Sequence, residues 1–324
     1  MKKNNSLQCF LVVKEVKIVR HVFLVNPVAG NIDRSEEIRY EVQRLSEQLD
    51  FEYLFFIVEH EGHESVIAEK ICDTFRGEPV RIYSCGGSGT FQRILDAVKR
   101  YKNVELACYP CGFTNDILKC FNDQEAFYTL RNLIEGRPVS LDIAEFDGIR
   151  FCNALSIGMT ARIIGDIDNY SLFTRFNRNF PYWFSSIVDV LTKHAMDYRI
   201  EIDGRDYSGK YLLVSAFNGC VYGGNISPAR NAKPNDGYLD FVMFKQVRNI
   251  EVAMCTKAFC AGDVEKLGDR IIIVRGKKMK IMQKNGLQMT CNIDGEFYKT
   301  SGTTEIAIKS NGLKLIAPKD TVVK

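Results

Sequence analysis

The chain has 324 residues, 46% of them hydrophobic and 26% charged, with a formal net charge of +3. That length suits about two domains, and the composition is that of an ordinary soluble globular protein. So small a positive charge permits weak attraction to an anionic membrane or nucleotide but gives no nucleic-acid footprint of the kind a clustered basic face would.

The opening MKKNNSLQCFLVVKEVK has an apolar core too short for a secretory signal. No run approaches the roughly 18 apolar residues that a spanning helix needs. The 11 cysteines, among them Cys72, Cys85, Cys152, Cys220 and Cys255, lie mostly in apolar segments. An odd number without a signal peptide points to reduced thiols in a cytosol. The expected location is cytoplasmic, at most peripheral at the inner face of the membrane.

HVFLV (21–25) reads as a strand buried on both faces. A helix follows, with Asp33 as its cap, Glu36 three residues on, and Ile38, Val42, Leu45 and Leu49 as its apolar stripe. FEYLFFIVE (51–59) is the next strand, and Val66, Ile67, Ile71 and Phe75 mark the next helix. VRIYSC (80–85) enters the loop GGSG, and Phe91, Ile94, Leu95 and Val98 lie on the helix that leaves it. NVELACYP (103–110) leads into CGFTND and a helical stretch over 114–136. This βαβα alternation predicts a doubly wound parallel α/β domain.

From about residue 140 the rhythm becomes strands joined by Asp-Gly and Asn-Gly turns, with one helical segment near 176–195. Those dipeptides are strong hairpin signals, so a C-terminal antiparallel β-sandwich is expected. The predicted boundaries are 21–145, completed by the terminal strands 304–324, and 146–303, with the active site in the cleft between them.

Loops leaving the carboxyl ends of parallel strands gather on one sheet edge, where ligands bind. NPVAGN (26–31), GGSG (86–89) and CGFTND (111–116) all fall there. Gly, Asn and Pro also make plain turns, but three such loops on one edge favour a binding crevice. Gly86, Gly87 and Gly89 let backbone N–H groups approach an anion at a helix N-terminus. No Gly-Lys-Ser/Thr follows, so the loop is not a Walker A, and its spacing is not G-x-G-x-x-G.

The motifs together resemble the diacylglycerol kinase catalytic-domain family, the bacterial soluble lipid kinases, related in fold to sphingosine kinases and NAD kinases. NPVAG, GGSGT, PCGFTND, LDIAEF, GGNISPARNAKPNDGYLDF (223–241) and NIDGE (292–296) stand in the family's order, and the resemblance spans residue 21 to about 320. It implies an ATP- and Mg²⁺-dependent phosphotransferase with an alcohol acceptor, a lipid hydroxyl presented at a membrane surface. Asp294 would be the base, with Glu296 beside it. Asn26, Pro27, Gly30, Gly86, Gly87, Ser88, Gly89, Thr90, Arg93, Gly112 and Asn115 would line the nucleotide. Asp236, Asp142 and Asp116 would hold metal, mainly through water. A homodimer is compatible with the sequence, and no nucleic-acid partner is expected.

Plain readings stand beside these. Asp294-Gly295 and Asp236-Gly237 can be turns like Asp203-Gly204, and Asn115 with Asp116 can cap a helix. Ser88 stands where the family has aspartate, Gln92 where it has asparagine, Arg93 where it has glutamate, and Phe113 where it has threonine. Thr160 stands where many relatives carry aspartate. With Thr90 as N-cap, Arg93 cannot close the capping box that a glutamate would. If Ser88 is a defect, Ser88→Asp should raise activity. The alternatives are a weak or inactive nucleotide or lipid sensor, and a kinase for a soluble hydroxyl compound. Cys108-Tyr109-Pro110-Cys111 has metal or redox spacing without a second pair, so it is expected to be incidental. His60 and His63 are expected to cap or face solvent, with a phosphate contact as the alternative. Phe173, Arg175 and Arg178 within 171–187 suit either core packing or a membrane interface.

Overall fold

The computed structural model describes residues 19–112, 114–158, 195–223, 226–284, 286, 288–300 and 302–324. The expected helix at 176–195, the aromatic-basic segment 171–187, Phe113 and Thr160 lie outside the described residues, wholly or nearly so.

Strands β1 (Arg20–Val25), β2 (Tyr53–Ile57), β3 (Val80–Gly86) and β4 (Val104–Pro110) alternate with helices α1 (Ser35–Leu49), α2 (His63–Thr74) and α3 (Ser88–Ala97). All neighbouring strands here run parallel, in the spatial order β2-β1-β3-β4. β1 and β3 are apolar and buried nearly throughout because helices cover both faces. At the entry to α1 the Asp33 carboxylate accepts the Ser35 N–H at 2.8 Å. Glu36 pairs with Arg39 instead of closing a box. On α2 the expected Val66 is exposed, and Glu64 takes the buried place on the stripe with Ile67 and Ile71.

The stretch 114–136 is not one helix. It breaks into 3₁₀ turns at Asp116–Cys120 and Glu125–Tyr128 and a short α4 (Leu130–Ile134). The cause lies in the polar pair between them. Asn122 exchanges hydrogen bonds with Val322, and Asp123 accepts the Ala126 N–H at 3.2 Å. Side chains that bond locally to backbone compete with helix.

The remaining strands are β5 (Arg137–Phe146), β6 (Ile149–Phe151), β7 (Ala154–Gly158), β8 (Met196–Ile202), β9 (Arg205–Asp206), β10 (Gly209–Tyr211), β11 (Leu213–Phe217), β12 (Leu239–Phe244), β13 (Ile271–Gly276), β14 (Lys278–Gln283), β15 (Met289–Ile293), β16 (Glu296–Thr300) and β17 (Thr304–Ala317). A helix absent from the sequence reading, α5 (Val252–Ala261), packs Cys255, Ala258 and Phe259 into an apolar cluster with Phe244. Its stretch is apolar without a clear helical period, which hid it.

One sheet of six antiparallel strands, β13-β12-β11-β7-β15-β16, stacks on antiparallel strands of the larger sheet. Ile157, Val214, Phe241, Cys291 and Ile293 on one side meet Phe146, Ile200, Met279 and Ile306 on the other. The fold is thus a parallel α/β unit joined to an antiparallel β-sandwich. β17 carries the join. Its first residues pair with β14, its last pair parallel with β4 at Leu315 and Ile316, and β5 runs antiparallel along it.

Candidate active site

The chain leaves β1 toward β2 on one side and leaves β3 toward β4 on the other, so a crevice opens between the loops after β1 and β3. Three loops close on one another there through small residues. Gly30 has a φ of +82°, and a β-carbon on it would stand 2.5 Å from the Cys111 carbonyl oxygen. A β-carbon on Gly112 would stand 2.5 Å from the Gly87 α-carbon. The Gly86 carbonyl accepts the N–H groups of Cys111 and Gly112 at 3.0 and 3.2 Å. Beside Pro27, Asn26 donates from Nδ2 to the Thr90 hydroxyl at 3.0 Å and accepts the Val28 N–H at 3.1 Å. Gly112→Ala is expected to cost about 1–3 kcal/mol by overpacking, measured as a drop in melting temperature.

Ser88 opens α3, with Gly87 extended before it as the N-cap. Thr90, expected as the cap, lies instead inside the first turn and is buried. The Ser88 hydroxyl donates to the Thr114 carbonyl at 3.0 Å, and its own N–H donates to the same oxygen at 2.9 Å. Ser88 therefore staples the GGSG loop to the loop after β4. An aspartate there cannot donate to a carbonyl and would set like partial charges face to face. Ser88→Asp is expected to destabilise by about 1–3 kcal/mol, and Ser88→Ala by about 1 kcal/mol, in thermal denaturation. A more stable or more active Ser88→Asp would show instead that serine is the defect.

By position, the N–H groups of Gly89 and Thr90 have no intrahelical acceptor, because they belong to the first turn of α3. The positive end of the helix dipole lies there too. Against it stands the carboxylate of Glu296, the first residue of β16, so close that a β-carbon on Gly89 would collide with Oε1. Arg93, one turn along α3, donates to Glu296 Oε1 at 2.6 Å. It also donates to Glu64 and reaches Glu61 at 3.4 Å. Glu64 is fully buried, its Oε2 has no partner among the described residues, and Arg93 neutralises it. Burial acts to lower the Arg93 pKa, but the bond to Glu64 and the charges of Glu296, Glu64 and Glu61 outweigh it and hold the guanidinium charged. Sequence reasoning missed Glu64. The signal was an acid sharing a helix stripe with Ile67 and Ile71.

Asp294 and Gly295 form a two-residue turn, with φ of +47° and +101°, between paired Ile293 and Glu296. The Asp294 carboxylate is buried against the link between β6 and β7. It accepts the N–H of Cys152 at 2.9 Å and of Ala154 at 2.7 Å, with Asn153 at 3.2 Å. Burial pushes its pKa up to about 6, against the pull of those N–H groups. Asp203, in an equivalent turn, likewise accepts the N–H groups of Lys277 and Lys278, at 2.9 and 3.0 Å. The Asp294-Gly295 pair is thus a turn, and it aims Glu296, not Asp294, at the α3 N-terminus.

The three acids expected to hold metal mainly through water each have partners within the protein. Asp142 is buried and accepts the N–H groups of Gly237 at 2.7 Å and Asn311 at 2.9 Å. Asp236 bonds Arg275 at 2.6 Å and the Tyr238 N–H at 3.0 Å. Asp116 is buried beside Lys119 at 3.2 Å. Among the described residues no three His, Cys, Asp or Glu side chains meet to hold an ion. The glycine cradle and the α3 N-terminus fit an anion such as a nucleotide phosphate.

The Asn115 side chain accepts from the Cys108 thiol at 3.3 Å. Burial pushes Cys111 up to about 11 and Cys108 higher still, so this pair holds no thiolate near neutral pH. His63 Nδ1 accepts the Glu59 N–H at 3.2 Å, and the His60 ring stacks on His63 with centroids 4.9 Å apart. No helix among the described residues is long and apolar enough to cross a membrane.

Residues 20–146 match the family model of the diacylglycerol kinase catalytic domain. Residues 153–317 match that of the YegS C-terminal NAD kinase beta sandwich-like domain. A diacylglycerol kinase of Staphylococcus aureus (strain bovine RF122 / ET3-1) is 22% identical over 301 residues, 92% of each chain. Its counterpart in strain MRSA252 aligns to the same extent. A crystal structure of a diacylglycerol kinase from Bacillus anthracis str. Sterne is 19% identical and superposes with a TM-score of 0.66 over 93% of this chain and 96% of its own. That likeness, at so low an identity, bears on the fold alone.

Proposed function

The chain belongs to the diacylglycerol kinase catalytic-domain family, and from that premise we propose that it transfers the γ-phosphoryl group of ATP to the hydroxyl of a lipid presented at a membrane surface. The observation that carries this reading is the meeting of Glu296 with the open N-terminus of α3. One is a proton acceptor brought by the sandwich, and the other is an anion site built by the α/β unit. We assign nucleotide binding to 21–145 with 304–324, and acceptor binding to 146–303.

When bound, ATP supplies the phosphoryl group, and the first turn of α3 and the glycine cradle stabilise its phosphate charge. Asn26 fixes Thr90, and Ser88 fixes the loop that carries Asn115. Glu296 takes the acceptor's hydroxyl proton, oriented by Arg93. Asp294 acts as a positioning residue. It holds the turn so that Glu296 projects toward α3, a revision of the role that the family resemblance implied for it.

The Arg93–Glu296 ion pair favours a second reading, a nucleotide or lipid sensor in which those two groups satisfy each other. Labelled ATP, with Mg²⁺, is offered to lipids in mixed micelles and to soluble polyols, and phosphorylated products are counted. Labelled lipid establishes the kinase, and labelled polyol moves the substrate class. No product, with ATP binding still seen as a thermal shift, establishes the sensor.

A further inference from the structure

Burial keeps the thiols of the spacing visible in the sequence, Cys108 to Cys111, protonated, but two cysteines 100 residues apart meet between the α/β unit and the sandwich. The Sγ atoms of Cys120 and Cys220 lie 3.8 Å from each other. Cys120 ends the 3₁₀ turn that follows the third ligand loop, and Cys220 lies just after β11, in the run Asn218-Gly219-Cys220. The contact therefore ties the α/β unit to the sandwich.

The surroundings separate the two thiols. Cys120 is buried, whereas Cys220 is partly exposed. The hydrogen bond from Cys120, with Lys324 and Lys119 nearby, draws the Cys220 thiol down to about 7. The same bond and burial push Cys120 up. A partly exposed thiolate beside a buried partner thiol is the arrangement of an attacking and a resolving cysteine. Disulfide formation needs the sulfurs to close from 3.8 Å to about 2.05 Å.

The segments that a bridge would join are parts of the candidate site. A β-carbon on Gly219 would stand 3.2 Å from Cys120 Sγ. The Asn218 and Gly219 N–H groups donate to the Asn153 carbonyl at 2.8 and 2.9 Å. Asn153 in turn donates its N–H to Asp294. On the other side, Cys120 lies five residues from Asn115 and one from Lys119.

We propose that Cys120 and Cys220 form a peroxide-sensitive, reversible disulfide that pins the two walls of the cleft together. The Cys220 thiolate attacks hydrogen peroxide and takes one oxygen as the O–O bond breaks. A proton converts the departing hydroxide to water and leaves Cys220 as a sulfenic acid. The Cys120 thiol sulfur then displaces the sulfenic oxygen, which leaves as water with the thiol proton, and the S–S bond forms. A dithiol reductant reverses the bridge and returns both thiols.

The test treats the full chain with a few equivalents of hydrogen peroxide, blocks remaining thiols, and maps peptides by mass under non-reducing conditions. A Cys120–Cys220 linked peptide, 2 Da lighter than the two free peptides together, should form at least about tenfold faster than any bridge among the other nine cysteines. Dithiothreitol should remove it. Oxidised protein should also show slower amide hydrogen exchange over 111–120. Cys220→Ser should abolish the sulfenic acid trapped by a dimedone probe, and Cys120→Ser should leave that adduct to accumulate. Sulfinic acid without a bridge, a faster bridge elsewhere, or a bridge with no change in exchange would each overturn the proposal. None of these measurements needs phosphoryl transfer, so a failure here is distinct from a failure of the kinase reading.

Discussion

Glu296→Gln should lower phosphoryl transfer by about 100-fold or more while the melting temperature stays close to that of the parent. Glutamine keeps an oxygen for the Arg93 bond at 2.6 Å but cannot take a proton. Asp294→Asn should behave differently. Its amide must turn an N–H toward the donors of Cys152, Asn153 or Ala154, which leaves donors facing each other in a buried place. The expected cost is about 1–3 kcal/mol of stability, with activity falling as the turn loosens.

The parent carries a pH signature that the Asp294→Asn variant should lose. The Asp294 carboxyl goes from its ordinary 3.8 in the unfolded chain to about 6 in the fold, so between those values the native state binds the extra proton. Its contribution to stability is full below about pH 4 and declines as the pH rises through 6, by about 2–3 kcal/mol in all. Urea titrations from pH 4 to 8 on parent and variant measure this difference. A well-folded, inactive Asp294→Asn beside an active Glu296→Gln would reverse the two roles.

Arg93→Glu, which places at 93 the glutamate that the family resemblance implies, should be the most damaging single change at the site. It would set four carboxylates together and strip the fully buried Glu64 of its cation. Breaking a buried pair by removing one partner costs about 3–5 kcal/mol. The expected outcome is a large loss of stability in chemical denaturation, partly recovered in the Arg93→Glu, Glu64→Gln double variant. If Arg93→Glu folds as well as the parent, Arg93 is free to serve a ligand and not the fold.

Much of this molecule is legible in its sequence because the signals are local. The apolar runs at 21–25 and 80–85, the stripe Ile38–Val42–Leu45 and the Asp-Gly turns depend on the periodicity of a few neighbouring residues, and each stands where it was expected. The three ligand loops follow from the βα order alone, since topology delivers every such loop to one edge.

What the sequence could not decide depends on partners far along the chain. Helix over 114–136 fails because Val322 binds Asn122. Asp294 turns inward because the N–H groups of Cys152 to Ala154 wait there. Ser88 proves to be a staple only once Thr114 is opposite it. Arg93 meets Glu296 across 203 residues and Cys120 meets Cys220 across 100. A side chain's type states which bonds it can make. Only the packed fold, by placing donors and charges within about 3 Å and excluding water, decides which of them it makes.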